Sequence, residues 1–324
     1  MFPKLRPVFD ASAAGSAGAF ANLPDWDLTD LYPSPDSAEF ARDMAWLETS
    51  CAGFSASYQG KLASLSADQM LACVQAYELI ETTGGRVMSY AGLRYYQNTL
   101  DADRAKFMAD AEGQITDFTA SLVFFTLEFN RLEEDHLSAL LAQNAALARY
   151  KPVFDRMRAM RPHQLSDEME QFLHDTSVVG ASAWNKLFDE TMAALMFKVK
   201  GEPEELSLEA TLNFLTDANR TKREAAAHAL ADVFGQNVKL FARITNTLAK
   251  EKEIHDRWRK MPSAQAGRHL SNHVEPEVVE ALRNAVVAAY PKLSHRYYAL
   301  KAKWMGLDKL QVWDRNAPLP DAPK

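Results

Sequence analysis

The stretch KREAAAHALADVFGQNVKLFARITNTLAKEKEIHDRW (Lys222–Trp258) decides the fold class. Its apolar residues Leu230, Val233, Phe234, Val238, Phe241, Ile244, Leu248, Ile254 and Trp258 track one face of a helix. It is the longest helical candidate in the chain, and Pro262 lies just beyond it. Downstream, Pro276 sits where a helix starts, because its missing N–H costs nothing in the first turn. In that helix Leu282, Val286, Tyr290, Leu293, Tyr297, Leu300 and Trp304 keep helical phase through Pro291. One kinked helix over 276–305 is therefore expected, closed by Gly306, followed by a strand at Leu310–Trp313.

Upstream, the period changes once. From Ala194, Phe197 and Val199 alternate with Lys198 and Lys200, and Glu205–Leu208 alternates again. With the turn Lys200-Gly201-Glu202-Pro203 between them, this predicts one small β-hairpin near 194–208. The rest of the upstream chain reads as helices. One is capped by Asp36 or Ser37 and runs to about Phe54, one is opened by Ser66, and two longer ones cover about 86–99 and 101–130. Gly84-Gly85 is read as a break between the second and third. Shorter helices are expected over 133–143, 145–160, from Ser166 to about Thr176, and from Trp184 to Glu190. Of the pairs Tyr95-Tyr96, Phe124-Phe125 and Tyr297-Tyr298, one ring each is expected in the core and one at its rim.

The 324 residues suffice to bury a core without disulfides or metals. Lys plus Arg is 36 against 43 Asp plus Glu, and that mild acidity argues against nucleic acid as a partner. Only 13 glycines are present, which leans away from Rossmann and TIM-barrel folds. No apolar run approaches the ~18 residues of a membrane span, so no membrane partner is expected. Residues 1–22 are too polar for a secretory signal and read as a loose tail. Cys51 and Cys73 fit no redox pair or zinc cluster, and reduced thiols in the cytoplasm are the expectation.

The eight histidines are His136, His163, His174, His228, His255, His269, His273 and His295, and none is followed by glutamate. There is no HExxH zinc-peptidase motif in the chain. His269 and His273 form one HxxxH pair, read as two polar residues on a turn. Glu133-x-x-His136 matches half of a di-iron carboxylate signature that must occur twice. No GxxxxGK[ST], GxGxxG or GxSxG is found. No catalytic and no metal residue is assigned, and no substrate-binding residue is identified.

Several separated segments together resemble one family. They are WDLTDLYPSPDS (Trp26–Ser37), GASAWNKLFDETMAALMFKVKGE (Gly180–Glu202), NTLAKEKEIHDRWRKMPSA (Asn246–Ala264), LSNHVEPEVVEALRNAV (Leu270–Val286) and YPKLSHRYYALKAKWMGLDKLQVWDRNAPLP (Tyr290–Pro320). In order and spacing they resemble the oligoendopeptidase F group of the M3 zinc metallopeptidases, over nearly the whole chain apart from residues 1–22.

The resemblance implies a mainly α, multi-helix channel wall that admits short peptides, with an incomplete catalytic domain. It implies a tail at 1–22, an N-terminal helical domain at 23–192, and the start of an M3-type catalytic domain at 193–324. Family members bind zinc through HExxH and a further Glu, with the motif's Glu activating a zinc-bound water. Those residues lie beyond the end of this chain, so zinc is expected for a complete family member and none is expected on this chain. The chain is thus expected to be a portion of a zinc-dependent oligopeptidase, inactive alone. Two alternatives stand: a non-enzymatic helical peptide-binding or interaction module from the same family, and, on Glu133 and His136 alone, a di-iron bundle. Two further expectations concern surfaces. Trp313, Asp314, Arg315 and Asn316 approach the channel, and the helix bearing Tyr290, Tyr297, Tyr298 and Trp304 exposes a face that would pack on a missing C-terminal portion.

Overall fold

The computed structural model describes residues 26–320, so the expected tail at 1–22 lies outside the described residues. These residues are mainly helical and divide into two compact units. The first comprises residues 26–186 and 248–273, the second 187–247 and 274–320.

The first unit begins with α1 (Ala38–Tyr58), α2 (Ala67–Gln97) and α3 (Ala102–Ala120). Each starts where a side chain serves its free N–H groups. Ser37 accepts from Phe40 N–H, Ser66 forms a capping box with Gln69, and Asp101 accepts from the N–H groups of Asp103 and Arg104. There follow α4 (Val123–Arg131), α5 (Glu134–Gln143), α6 (Ala145–Ala148), α7 (Lys151–Ala159) and α8 (Asp167–Asp175). An aromatic spine holds them together. Phe54, Tyr77, Phe125, Phe129 and Phe154 follow one another at ring separations of 4.4–6.1 Å. Cys51 on α1 and Cys73 on α2 are both buried here. Burial, with a lesser push from Glu81 and Glu128, raises their thiols to about 11 and about 12.

The long helix α11 (Arg220–Trp258) forms as its periodicity predicts, and the division between the units falls within it. Leu230 and Ile244 are buried, whereas Val238 and Trp258 on the expected apolar face are exposed. The division also falls within α9 (Ala181–Ala194), and in the second unit an extended segment follows it, then α10 (Leu208–Asn213). The expected hairpin shrinks to one antiparallel pair, Phe197 and Leu206, exchanging N–H···O bonds of 2.8 and 2.9 Å. It extends in neither direction. Val199 O instead accepts from Glu202 N–H to close the turn, and Ser207 is already the N-cap of α10. The period-two burial survives the loss of the strands, with Phe197 and Val199 buried against Ala226, Ala229 and Leu230.

Three other expectations are corrected. Gly84 and Gly85 do not break α2, which runs through them. Ile80 and Val87 are buried to either side, and a Cβ on Gly84 would only just touch Leu47 Cδ2 at 4.0 Å. The kinked helix is two helices, α13 (Pro276–Ala289) and α14 (Ser294–Trp304), joined by a turn at 290–293. Pro291 has no N–H to continue α13, and the N–H groups of Lys292 and Leu293 both fold back to Ala289 O. The expected strand at Leu310–Trp313 is a 3₁₀ turn over Val312–Asp314. Asp314 N–H bonds Gln311 O and the Asp314 carboxylate accepts from Gln311 N–H, both at 2.9 Å.

Tyr95 is buried and Tyr96 exposed, but Phe124 and Phe125 are both buried and Tyr297 and Tyr298 both exposed. The pairs take whatever their helix face meets. All seven in-phase residues of α13, its turn and α14 are exposed, from 39% at Leu300 to 67% at Leu293.

Candidate functional site

In the first unit, a tight polar hub is built on the segment between α7 and α8, on the first turn of α8 and on the residue just past α11. The Arg259 guanidinium donates two parallel bonds to the Glu170 carboxylate, 2.7 and 2.8 Å long. It also donates to His163 O at 3.2 Å, and His163 Nδ1 returns a 2.9 Å bond to Arg259 O. Since a carbonyl can only accept, His163 carries its proton on Nδ1. Leu165 N–H donates to Glu170 as well. Burial raises the Glu170 pKa, but the bonds from Arg259 and Leu165 outweigh it, and the carboxyl ends below its ordinary value.

Beside this pair lies a cavity of about 560 Å³. Its apolar wall includes Val123, Leu127, Met160 and Leu173, and its polar lining includes Asn130, His174 and His255. His174 Nε2 lies 3.0 Å from Thr116 O and 3.2 Å from Thr119 Oγ1 on α3. The carbonyl again fixes the proton, on Nε2, which leaves Nδ1 as an acceptor. Asn130 is 2% exposed; its Nδ2 donates to Gln164 Oε1 at 3.0 Å and its Oδ1 has no partner. A second cavity of about 540 Å³ shares Met160, His255 and Arg259 with the first, and is lined also by Leu248, Met261 and Leu270.

None of these residues carries a local signal in the sequence. Glu170 reads as an acidic residue in the first turn of α8, and its partner is 89 positions away. His163, His174 and His255 appear there only as histidines without a following glutamate.

In the second unit, Asp314 is the buried centre of another network. Its carboxylate is fully buried and accepts from Arg220 Nε and Nη2 and from Arg223 Nη2, each at 3.0 Å. Arg223, 1% exposed, donates further to the carbonyls of Trp313, Asp217 and Ala218. Lys301 Nζ donates to Arg315 O and Ala317 O, fastening the same segment to α14. Burial works to raise the Asp314 pKa, yet the donors from Arg220, Gln311 and Arg223 bring it below the usual aspartate value. Trp313 is half-buried, its ring 5.5 Å from that of His228, with the Arg220 guanidinium 5.8 Å from its centre. Arg315 and Asn316 are exposed. Of the four residues expected near the channel, Asp314 therefore fastens the backbone.

His269 lies on the short helix α12 (Ala266–Asn272), and His273 follows as its left-handed C-cap at φ 52°. Glu133 is the N-cap of α5 and His136 sits in its first turn. Among the described residues no group of three or more His, Cys, Asp or Glu could hold a metal ion, so these residues do not fit a zinc site. No helix among them is long and apolar enough to cross a membrane.

The comparisons with known proteins agree with one another. The family model described as Oligopeptidase F, the N-terminal part of peptidase family M3, matches residues 128–197. The chain is 26% identical over 298 residues to oligopeptidase PepF of Bacillus subtilis, covering 91% of this chain and 44% of that protein. It is 27% identical over 300 residues to group B oligopeptidase PepB of Streptococcus agalactiae, covering 91% and 49%. The chain thus spans about half the length of the curated relatives it matches. The fold is shared with oligoendopeptidase-F from Enterococcus faecium, at a TM-score of 0.78, 24% identity and coverage of 86% of this chain and 56% of that one. It is also shared with a putative oligoendopeptidase F from Bacillus anthracis, at a TM-score of 0.62, 16% identity and coverage of 86% and 48%. The matched segment, the relatives along 91% of the chain and the common helical fold together make this chain similar to the oligoendopeptidase F group of the M3 peptidases.

Proposed function

We propose that this chain is the helical wall of a zinc-dependent oligopeptidase that hydrolyses short peptides in an enclosed channel, and that it does not cleave peptides alone. The observation that carries this reading is the similarity along 91% of the chain to proteins named oligopeptidases. The absence of HExxH from all 324 residues supports the second half, because a peptidase of this kind needs two histidines on zinc and a glutamate to activate its water. In this reading residues 23–192 form the N-terminal helical domain and residues 193–324 the opening part of the catalytic domain. Zinc, its ligands and the general base come from the remainder of such an enzyme. The exposed residues of α13, the turn after it and α14 support a partner there, since they offer seven apolar side chains to solvent. We place the assembled enzyme in the cytoplasm, in keeping with two unpaired cysteines.

The test has two parts. The purified chain is expected to hold no stoichiometric zinc and to leave a quenched fluorescent peptide intact. A tightly bound zinc with cleavage would overturn this. The DNA beyond the Lys324 codon is expected to continue, or to have a neighbouring frame, through an HExxH. A stop without such a neighbour would favour the non-enzymatic module instead.

A further inference from the structure

We propose that a second copy of this chain covers the exposed surface of α13, the turn after it and α14, with the two copies lying antiparallel about a two-fold axis. None of the fourteen residues of α13 is buried. A helix of that length is marginal in water by itself, so its apolar residues call for a covering surface. On α13, Leu282 and Val286 are four positions apart and share a side. On α14, Tyr297, Leu300 and Trp304 step by three and four and form a corresponding stripe. Tyr290 and Leu293 lie between the helices, where His295 N–H reaches back to Tyr290 O at 3.0 Å. All seven of these residues are exposed, and together they present roughly 800 Å² on each copy. A stable interface of standard size buries about that area on each partner.

Charge selects a second copy and its direction. Glu275 stands just before α13, two turns from Leu282 and in line with it, and Glu277 lies in the first turn. Arg296 and Lys303 on α14 are seven positions apart, and each directly precedes a residue of the apolar stripe. All four are exposed, and among the described residues the ion pair on these helices is another one, Arg283 with Glu280. Arg296 sits in the first turn of α14, where a cation opposes the helix's own dipole, so its own helix gives no reason for it. The surface thus carries unpaired acid at its start and unpaired base in its second half. An antiparallel pairing centred near Tyr290 sets Glu275 of one copy beside Lys303 of the other, twice, and is self-complementary. A parallel pairing would set like charges together, and a uniformly anionic surface such as a lipid headgroup layer would meet Glu275 and Glu277 with its own sign.

This inference does not depend on the peptidase reading. A catalytic portion covering the same helices would displace the second copy, so either idea can fail while the other stands. The test is sedimentation velocity on the full chain between about 1 and 100 µM. One monomer–dimer equilibrium is expected, with a dissociation constant of about 10 µM, the weak end for an interface of this size, so the chain is mostly monomer at about 1 µM. Leu282→Lys with Val286→Lys is expected to leave monomer throughout. Lys303→Glu is expected to raise the dissociation constant about tenfold, and adding Glu275→Lys to bring it back within about threefold of the unaltered chain. Circular dichroism checks that each variant is folded. Monomer alone at about 100 µM, assembly that runs on past the dimer, an unweakened dimer in folded Leu282→Lys with Val286→Lys or in folded Lys303→Glu, or no recovery in the charge-swapped chain would each overturn the proposal.

Discussion

An ionised carboxylate as thoroughly buried as Asp314 persists only because three donated bonds from two arginines, and one from a backbone N–H, replace its water. Asp314→Ala is expected to destabilise the second unit by about 3–5 kcal/mol, since Arg223 would stay buried without its charge partner. Urea unfolding followed by tryptophan fluorescence checks this, and an unchanged midpoint would refute it. Asp314, Glu170 and Asp43, the last held by Tyr32 and Arg86, all have pKa values depressed in the folded state. Their stabilisation is full above the unfolded values of 3.8 and 4.5, declines as the pH drops below them, and is gone once the pH has passed the lower folded values. Urea midpoints are therefore expected to fall on acidification below about pH 4.5, with Glu170→Gln flattening the upper part of that fall. Little of this was legible beforehand. Asp314 sits in WDRN beside exposed residues, and Arg223 stands in a Lys-Arg-Glu run that reads as a wet helix start. Only the return of the chain from 314 to 220, 94 positions away, turns them into a buried pair.

Helices announced themselves through two local signals, apolar spacing and a capping side chain. The starts of α1, α2, α3 and α8 accordingly fall at Ser37, Ser66, Asp101 and Ser166. Errors arose where a weak local rule met a stronger tertiary contact. Two glycines cost a helix roughly 1 kcal/mol each relative to alanine, less than burying Ile80 and Val87 on the same helix contributes. At Pro291 the local rule won, because α13 and α14 bury too little of their apolar phase to hold a kinked helix together. Two glycine substitutions separate these cases. Gly85→Ala is expected to stabilise the protein by about 0.5–1 kcal/mol, since the added methyl meets nothing within 4 Å and α2 is helical there. Gly201→Ala has equal space but a φ of +99°, so it is expected to cost roughly 1–2 kcal/mol. Thermal melts of the two variants should move in opposite directions.

At the scale of the whole molecule, the two units differ in how completely they cover their apolar residues. The first encloses an aromatic spine, while the second leaves Leu282, Val286, Tyr290, Leu293 and Trp304 open. An apolar row of that kind should bind a hydrophobic dye. Leu282→Lys with Val286→Lys is expected to reduce dye fluorescence while changing stability by no more than about 0.5 kcal/mol, because neither residue is buried. A large stability loss would mean that the row packs internally. The distribution of sulfur gives a way to watch the units separately. Both cysteines lie on α1 and α2, and the second unit has none. Shielded, and with thiols raised to about 11 and about 12, they cannot meet an alkylating reagent until those helices part. Labelling under native conditions thus acts as a clock on the opening of one unit, blind to the other, and a ligand seated in the first unit would slow that clock by its binding energy.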